Sequence, residues 1–296
     1  MKTKNLRKLK RRIKFLENFQ KITKSVSLIS AVKYQKVYLK IKNVIRNIFY
    51  LLSIFEEINK RHKLDISKIK LDKNKKELII VIASDRGLAG AFDYSIFRKT
   101  EEFLSDKENF YLGTIGSKAE KYFRKKYNLL FSFSKFENIL PESFARELLS
   151  YLDFLISNNK ITDIYVIRPN LISTGFLVEI LKIYPHDLEV IKDLLGKIKP
   201  RLKEFEEIKE EKRFKWNFEY ILEPSSKVII ETLLKQVFFS ALYILILQSQ
   251  ASLELTRTIT MRKANENAKE IREKENLNYN KLRQQKITEE LIDLRR

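Results

Sequence analysis

The 296-residue chain reads as an α/β protein with long helices at both ends, and three observations carry that reading. The first is where its helix breakers fall. All six glycines lie between Gly87 and Gly196, and all five prolines between Pro141 and Pro224. Residues 1–86 and 225–296 hold neither, and these are the residues that most strongly interrupt a helix. The second is 3-4 apolar spacing through both of those ends, and the third is alternation of strand-like and helical stretches between them. Two helices approaching about 90–100 Å, at roughly 1.5 Å per residue, bracket a compact middle.

The N-terminal arm runs from about Lys4 to about Arg61. Leu6, Leu9, Ile13 and Leu16 step by 3-4-3. After a one-residue slip in phase, Phe19, Ile22, Val26 and Ile29 repeat the step, and Val37, Ile41, Ile45, Ile48, Leu52 and Phe55 continue it. Such a seam asks for a partner helix, and the slip should overwind the supercoil locally.

In the middle, residues 77–83, 110–116, 162–168 and 217–223 are β-branched or aromatic and strand-like. Helical stretches fall near 92–104, 117–127 and 142–158, so a small parallel or mixed sheet is expected. From His186 to Lys215 the chain is charged, which suits a solvated helix or an insert.

The C-terminal arm changes character along its length. Val228–Leu247 is apolar nearly all round, as in a helix enclosed on several sides. Beyond Gln248 only a thin stripe of Ala251, Leu255, Ile259, Ala264, Ala268 and Ile271 remains. The longest apolar run, Val237–Leu247, falls short of the roughly 18–20 residues of a membrane span, so a buried helix and a cytoplasmic protein are expected.

Composition narrows the chemistry. Lys and Arg number 59 against 38 Asp and Glu, a net charge of +21 that implies an anionic partner surface: nucleic acid, anionic lipid or acidic protein. With no cysteine and two histidines, disulfides, thiolate nucleophiles and His-based or Cys-based metal sites are excluded. No paired carboxylates, H-E-x-x-H or Ser/His/Asp set stands out, so no catalytic residue, metal or cofactor is assigned. One turn tempts: "SDRGLAGAFD" (84–93) links a strand to a helix, where backbone N–H groups can hold phosphate. Its Gly87-x-x-Gly90 spacing matches neither the dinucleotide nor the P-loop pattern. A structural turn of Asp85, Gly87 and Gly90, capped by Asp85 or Ser84, is the better reading. Ser117, after Gly116, is placed as the N-cap of the next helix.

Both termini carry more specific signals. Leu6-Arg7 followed by "NFQKITKSVSLISAVK" (18–33) resembles the start of the γ subunit family of F-type ATP synthases, I-R-…-N-T-Q-K-I-T-K-A-M. "IASDRGLAGAFD" and "IGSKAEKYFRKK" (115–126) resemble its internal motifs. "YNKLRQQKITEEL" (279–291) resembles its Y-N-K-[AT]-R-Q-A-x-I-T-x-E-[LI]. The resemblance runs nearly end to end.

What the resemblance implies is an antiparallel coiled coil of N- and C-terminal helices plus a Rossmann-like α/β domain. The divisions are an N-terminal shaft helix at 1–62, the α/β domain at 75–222 and a C-terminal shaft helix at 223–296. The chain would be a non-catalytic rotor shaft turning inside a ring of α and β subunits that hold the ATP sites. An epsilon-like subunit and a membrane ring or adaptor would sit at its base, on the inner face of the cell membrane. Arg283, Gln284, Thr288, Arg257, Lys21 and Lys24 become partner contacts, with Lys21–Lys24 facing Arg257 across the coiled coil. A rotor surface should be polar, because deep apolar burial against one subunit would trap one angle.

The departures are Val26 for the family's Met, Ala89 for its Cys, and Arg295-Arg296 in place of an apolar tail. They leave open a specialised F1-like ATPase of the kind mycoplasmas carry, not coupled to proton transport. Outside the family stands a basic coiled-coil nucleic-acid binder.

Overall fold

A computed structural model describes residues 2–62, 76–158, 161–172, 175–184, 223 and 225–294. Two expected features, the strand at 217–223 and the charged stretch 186–215, lie outside the described residues except for Glu223. The chain forms two compact units, Met1–Lys33 with Glu254–Arg296, and Tyr34–Leu253. Two helices contribute to both: α1 (Lys2–His62, 61 residues) and α5 (Ser226–Asp293, 68 residues).

The Tyr34–Leu253 unit is organised by a five-stranded sheet. Its strands are β1 (Lys76–Ile82), β2 (Phe110–Ile115), β3 (Leu129–Phe133), β4 (Ile161–Ile172) and β5 (Gly175–Tyr184). They are ordered β3-β2-β1-β4-β5, parallel except for the β4–β5 pair. The helices between them are α2 (Phe92–Leu104), α3 (Ser117–Phe123) and α4 (Pro141–Ser157). The strand-helix alternation anticipated β1, β2, β4 and all three helices, although α3 ends at Phe123. It did not contain β3, an edge strand of five half-buried residues, or β5, whose antiparallel pairing needs no intervening helix.

Strand β1 shows why the sheet is so apolar. Leu78, Ile80 and Ile82 join one core with Ile41, Ile45 and Ile48 of α1, Phe144, Leu148 and Leu152 of α4, and Leu242 and Leu245 of α5. Ile79 and Val81 point the other way, into a core with Phe92, Ile96 and Phe97 of α2 and Phe123 of α3. A parallel strand covered on both faces reads as a continuous apolar run, with a period of two hidden inside it. Where β2 meets β3, Gly113 pairs with Phe131, whose ring fills the place a Cβ would take.

Residues Val237 to Leu253 of α5 are all buried except Tyr243, which is half-buried. This corrects the membrane reading in one respect. An 18-residue window in α5 has a mean hydropathy of 1.7, long and apolar enough by composition to cross a bilayer, and 56% of it is buried in the fold. Here that apolarity is used by the sheet-facing core. Past the core, Phe55 and Ile58 of α1 close on Ile230 of α5, with Leu233 and Leu234 alongside.

One buried charge interrupts this unit. Arg168 of β4 is fully buried, 3.4 Å from Glu179 on β5 and 3.4 Å from the Asn170 side chain. Burial lowers its pKa to about 10, against the opposing pull of Glu179.

Candidate functional site

The paired ends form the other unit. Contacts run from Lys33–Glu254 through Ser27–Thr258 and Gln20–Asn265 to Arg12–Glu275. The α1 number falls as the α5 number rises, so the helices are antiparallel. The burial pattern identifies the seam. On α1, Leu16, Thr23 and Ser30 are buried, with Gln20 and Ser27 half-buried between them. These positions step 4-3-4-3 and continue Leu6, Leu9, Ile13 and Leu16 without interruption.

The expected phase slip is therefore absent, and the seam does not pass through Phe19, Ile22, Val26 and Ile29. Phe19, Ile22 and Ile29 are 37%, 61% and 58% exposed. The slip came from following the apolar residues; the helix instead keeps its heptad and puts polar residues in it. On α5 the same holds: Ala251, Glu254, Thr258, Met261 and Ala268 are buried, with Asn265 half-buried. Ile259 and Ile271 of the expected stripe are exposed, while Leu255 and Ala264 are half-buried.

The polar seam is held by specific bonds. The Asn265 amide donates to the Gln20 carbonyl (2.7 Å) and to Thr23 Oγ1 (3.0 Å). Ser27 Oγ donates to the Thr258 carbonyl at 3.3 Å. Buried polar groups need such partners, because an unmet donor costs about 1–3 kcal/mol. Arg257 is 6% exposed and donates to Glu254 Oε1 at 3.1 Å, one turn away. Glu254 also lies 3.9 Å from Lys33. Arg257 is thus level with Ser27, not opposite Lys21–Lys24 as expected.

Lys21 and Lys24 lie elsewhere. With Lys269 and Arg272, and with Glu17, Gln20 and Asn265, they line a groove of about 510 Å³. Four cations meet one carboxylate there, and none of the four is ion-paired among the described residues. Arg272 Nε is buried without a hydrogen bond. Further along α5, Arg283, Gln284 and Thr288 are exposed, and the Thr288 hydroxyl donates to the Gln284 carbonyl at 3.0 Å. The site residues that share a local setting are therefore Lys21 with Lys24, and Arg283 with Gln284 and Thr288.

The 84–93 turn belongs to the other unit, and its donors are already used. The N–H groups of Asp85 and Arg86 bond Glu137 Oε1 at 2.7 and 3.2 Å, and that of Ser84 bonds Asp93 at 2.9 Å. The Asp85 carboxylate accepts from the backbone of Ser117, Lys135 and Glu137. Carboxylates occupy the places an anion would need. Ser117 is not the N-cap of α3: that position is Gly116, with φ of 107°, and Asp85 reaches the helix start from the neighbouring strand end. Gly90 and Leu88 take positive φ of 61° and 72°, while Gly87 has open space around its Cα.

A family model described as ATP synthase matches residues 5–295. The chain belongs to the ATP synthase gamma family. The gamma chain of Ruminiclostridium cellulolyticum is 30% identical to it, over 98% of this chain and 96% of that one. The gamma chain of Persephonella marina is 28% identical over 97% and 95%. Among solved structures, a chain of the Euglena gracilis mitochondrial ATP synthase OSCP/F1/c-ring assembly superposes with a TM-score of 0.62. It is 13% identical over 99% of this chain and 93% of that one, so it supports the fold alone. This family member is a gamma subunit, the central-stalk component of F1, and is itself non-catalytic.

Three residues that organise the seam, Thr23, Glu254 and Asn265, were not singled out from the sequence. Their signal was present as an unbroken 3-4 spacing, hidden because polar side chains occupy it.

Proposed function

We propose that the chain is the rotating shaft of an F1-type ATPase or ATP synthase, coupling ATP hydrolysis or synthesis in a ring of α and β subunits to rotation. The shaft helices lie in 1–62 and 223–296, and 75–222 forms the α/β domain. An epsilon-like subunit and a membrane ring or adaptor at the base would keep the complex on the inner face of the cell membrane.

The observation that supports this reading best is the exposure of Arg283, Gln284 and Thr288 on a helix whose seam is satisfied by α1. Arg offers a planar fork of donors to carboxylates, and the Gln amide beside it both donates and accepts. Contacts of that kind stay partly hydrated, so they can form and break with angle. Lys21 and Lys24, which have no ion pair among the described residues, present charge to the same class of acidic surface. Arg257, buried against Glu254, serves the packing of the shaft itself.

The test is Arg283→Ala with Gln284→Ala. Both positions are exposed, so stability should change by less than about 0.5 kcal/mol. ATP turnover by the reconstituted α/β assembly should fall markedly. Normal assembly with unchanged turnover and torque would remove these residues from the coupling role.

A further inference from the structure

One groove between the paired ends gathers charge that the fold itself does not use. Lys21 and Lys24 on α1 and Lys269 and Arg272 on α5 line its roughly 510 Å³ with a single carboxylate, Glu17. None of the four cations is ion-paired among the described residues, unlike Arg12 and Lys33, which bridge to Glu275 and Glu254. Cα–Cβ bonds tilt toward the N-terminus of their own helix. With Gln20 level with Asn265 in an antiparallel pair, Lys24 and Lys21 lean toward Lys269, while Arg272 and Lys269 lean back toward Asn265. The cations therefore converge from opposite directions. Asn265, bonded to the Gln20 carbonyl and to Thr23, ties the two helices together there and fixes the width of the groove. Arg272 is half-buried, and its Nε is buried without a hydrogen bond. A buried donor on a charged group is costly to leave unmet, so this edge of the guanidinium calls for an acceptor.

We propose that this groove binds a small anion of two linked phosphate groups, with inorganic pyrophosphate as the simplest case. Arg272 offers a planar fork of donors that matches phosphate, and the three lysines add point charges around it. Four cations less one carboxylate leave a surplus of three. A phosphate group carries about −1.5 to −2 charge near neutral pH, so one group leaves part of that surplus uncompensated and two match it. The lining holds no aromatic ring and no apolar residue, so a nucleoside base or an acyl chain gains nothing there. An acidic peptide strings single charges along its backbone and brings fewer of them to the point where the cations converge. A filled groove leaves Lys21 and Lys24 no charge for an acidic protein surface, so the two uses exclude each other. The inference rests on the groove and does not depend on the rotor reading.

The probe is sodium pyrophosphate, titrated into the full chain by calorimetry at about 0.15 M salt, where weak long-range attraction is screened. It should bind at one site, about tenfold or more tighter than orthophosphate, and ATP should bind no tighter than pyrophosphate. Lys269→Gln with Arg272→Gln should weaken binding about tenfold or more with the circular dichroism unchanged, because two charge-assisted donors are lost. Arg272→Lys keeps the charge but not the fork, and should weaken it about threefold. Lys8→Gln with Lys10→Gln removes the same charge outside the groove and should leave the affinity unchanged, whereas Glu17→Gln should raise it. Four results would overturn the proposal. They are no saturable binding of pyrophosphate below about 1 mM, an equal loss in the groove and control variants, ATP binding clearly tighter than pyrophosphate, and a peptide of about six Glu binding more tightly than either.

Discussion

The same two helices build both units, with opposite chemistry. In Tyr34–Leu253, the α1 seam of Ile41, Ile45, Ile48 and Phe55 is 1–3% exposed, and it packs in cores with α5 residues such as Leu242 and Ile230. In the paired ends, the corresponding seam positions are Gln20, Thr23, Ser27 and Ser30, facing Thr258 and Asn265. The spacing is identical; the energy is not. A buried Ile contributes about 1.5–3 kcal/mol through removal from water, whereas a satisfied hydrogen bond nets about 1 kcal/mol. Heptad geometry thus carries the pairing within each unit, and side-chain chemistry decides how firmly each is held.

The largest expected effect tests the firm half. Ile48→Ala removes a side chain 1% exposed from the main core and should cost about 3 kcal/mol in urea unfolding. A loss under about 1 kcal/mol would mean that the seam in this unit is no tighter than the polar one.

A smaller effect concerns the exception in that unit. Glu179→Ala leaves Arg168 buried without its carboxylate and should cost about 2 kcal/mol, less than a fully buried pair because Glu179 is partly exposed. Arg168→Met removes the charge and keeps most of the volume, so it should cost less than Glu179→Ala. The reverse order of thermal midpoints would show that Arg168 is held by something other than Glu179.

The smallest effect sharpens the polar half. Asn265→Ala should cost about 1 kcal/mol, and its signature is local. Hydrogen exchange should quicken at residues 19–24 and 261–268 and stay unchanged at 41–55. Uniform acceleration throughout would erase the distinction between the units.

Much of this was legible in the residues. The glycine and proline census located α1 and α5, and alternation located β1, β2, β4 and α2–α4. In Tyr34–Leu253 the seam is legible residue by residue because there apolarity and spacing coincide. In the paired ends it is not, because there they diverge. Phe19, Ile22 and Ile29 look like a core and face outward, while Thr23 and Ser30 look like surface and face in. Ser117 looks like a cap in sequence, but the N-cap is Gly116, and the carboxylate that meets the helix start belongs to Asp85, 32 positions earlier in the chain.

The distribution of helix breakers, the end-to-end motifs and the charge are properties of the chain in one dimension, and they suffice for two long helices, an α/β middle and the family. Which face of α1 is inside depends on a partner some 240 residues away. Asn265 can satisfy Thr23 and the Gln20 carbonyl only once α5 is antiparallel at that height. The same holds for Arg168, whose burial is set by β5 and Glu179 beside it. Hydrophobicity favours burial in general, but a polar group is buried only where folding brings a matching donor or acceptor, and that match exists only in three dimensions.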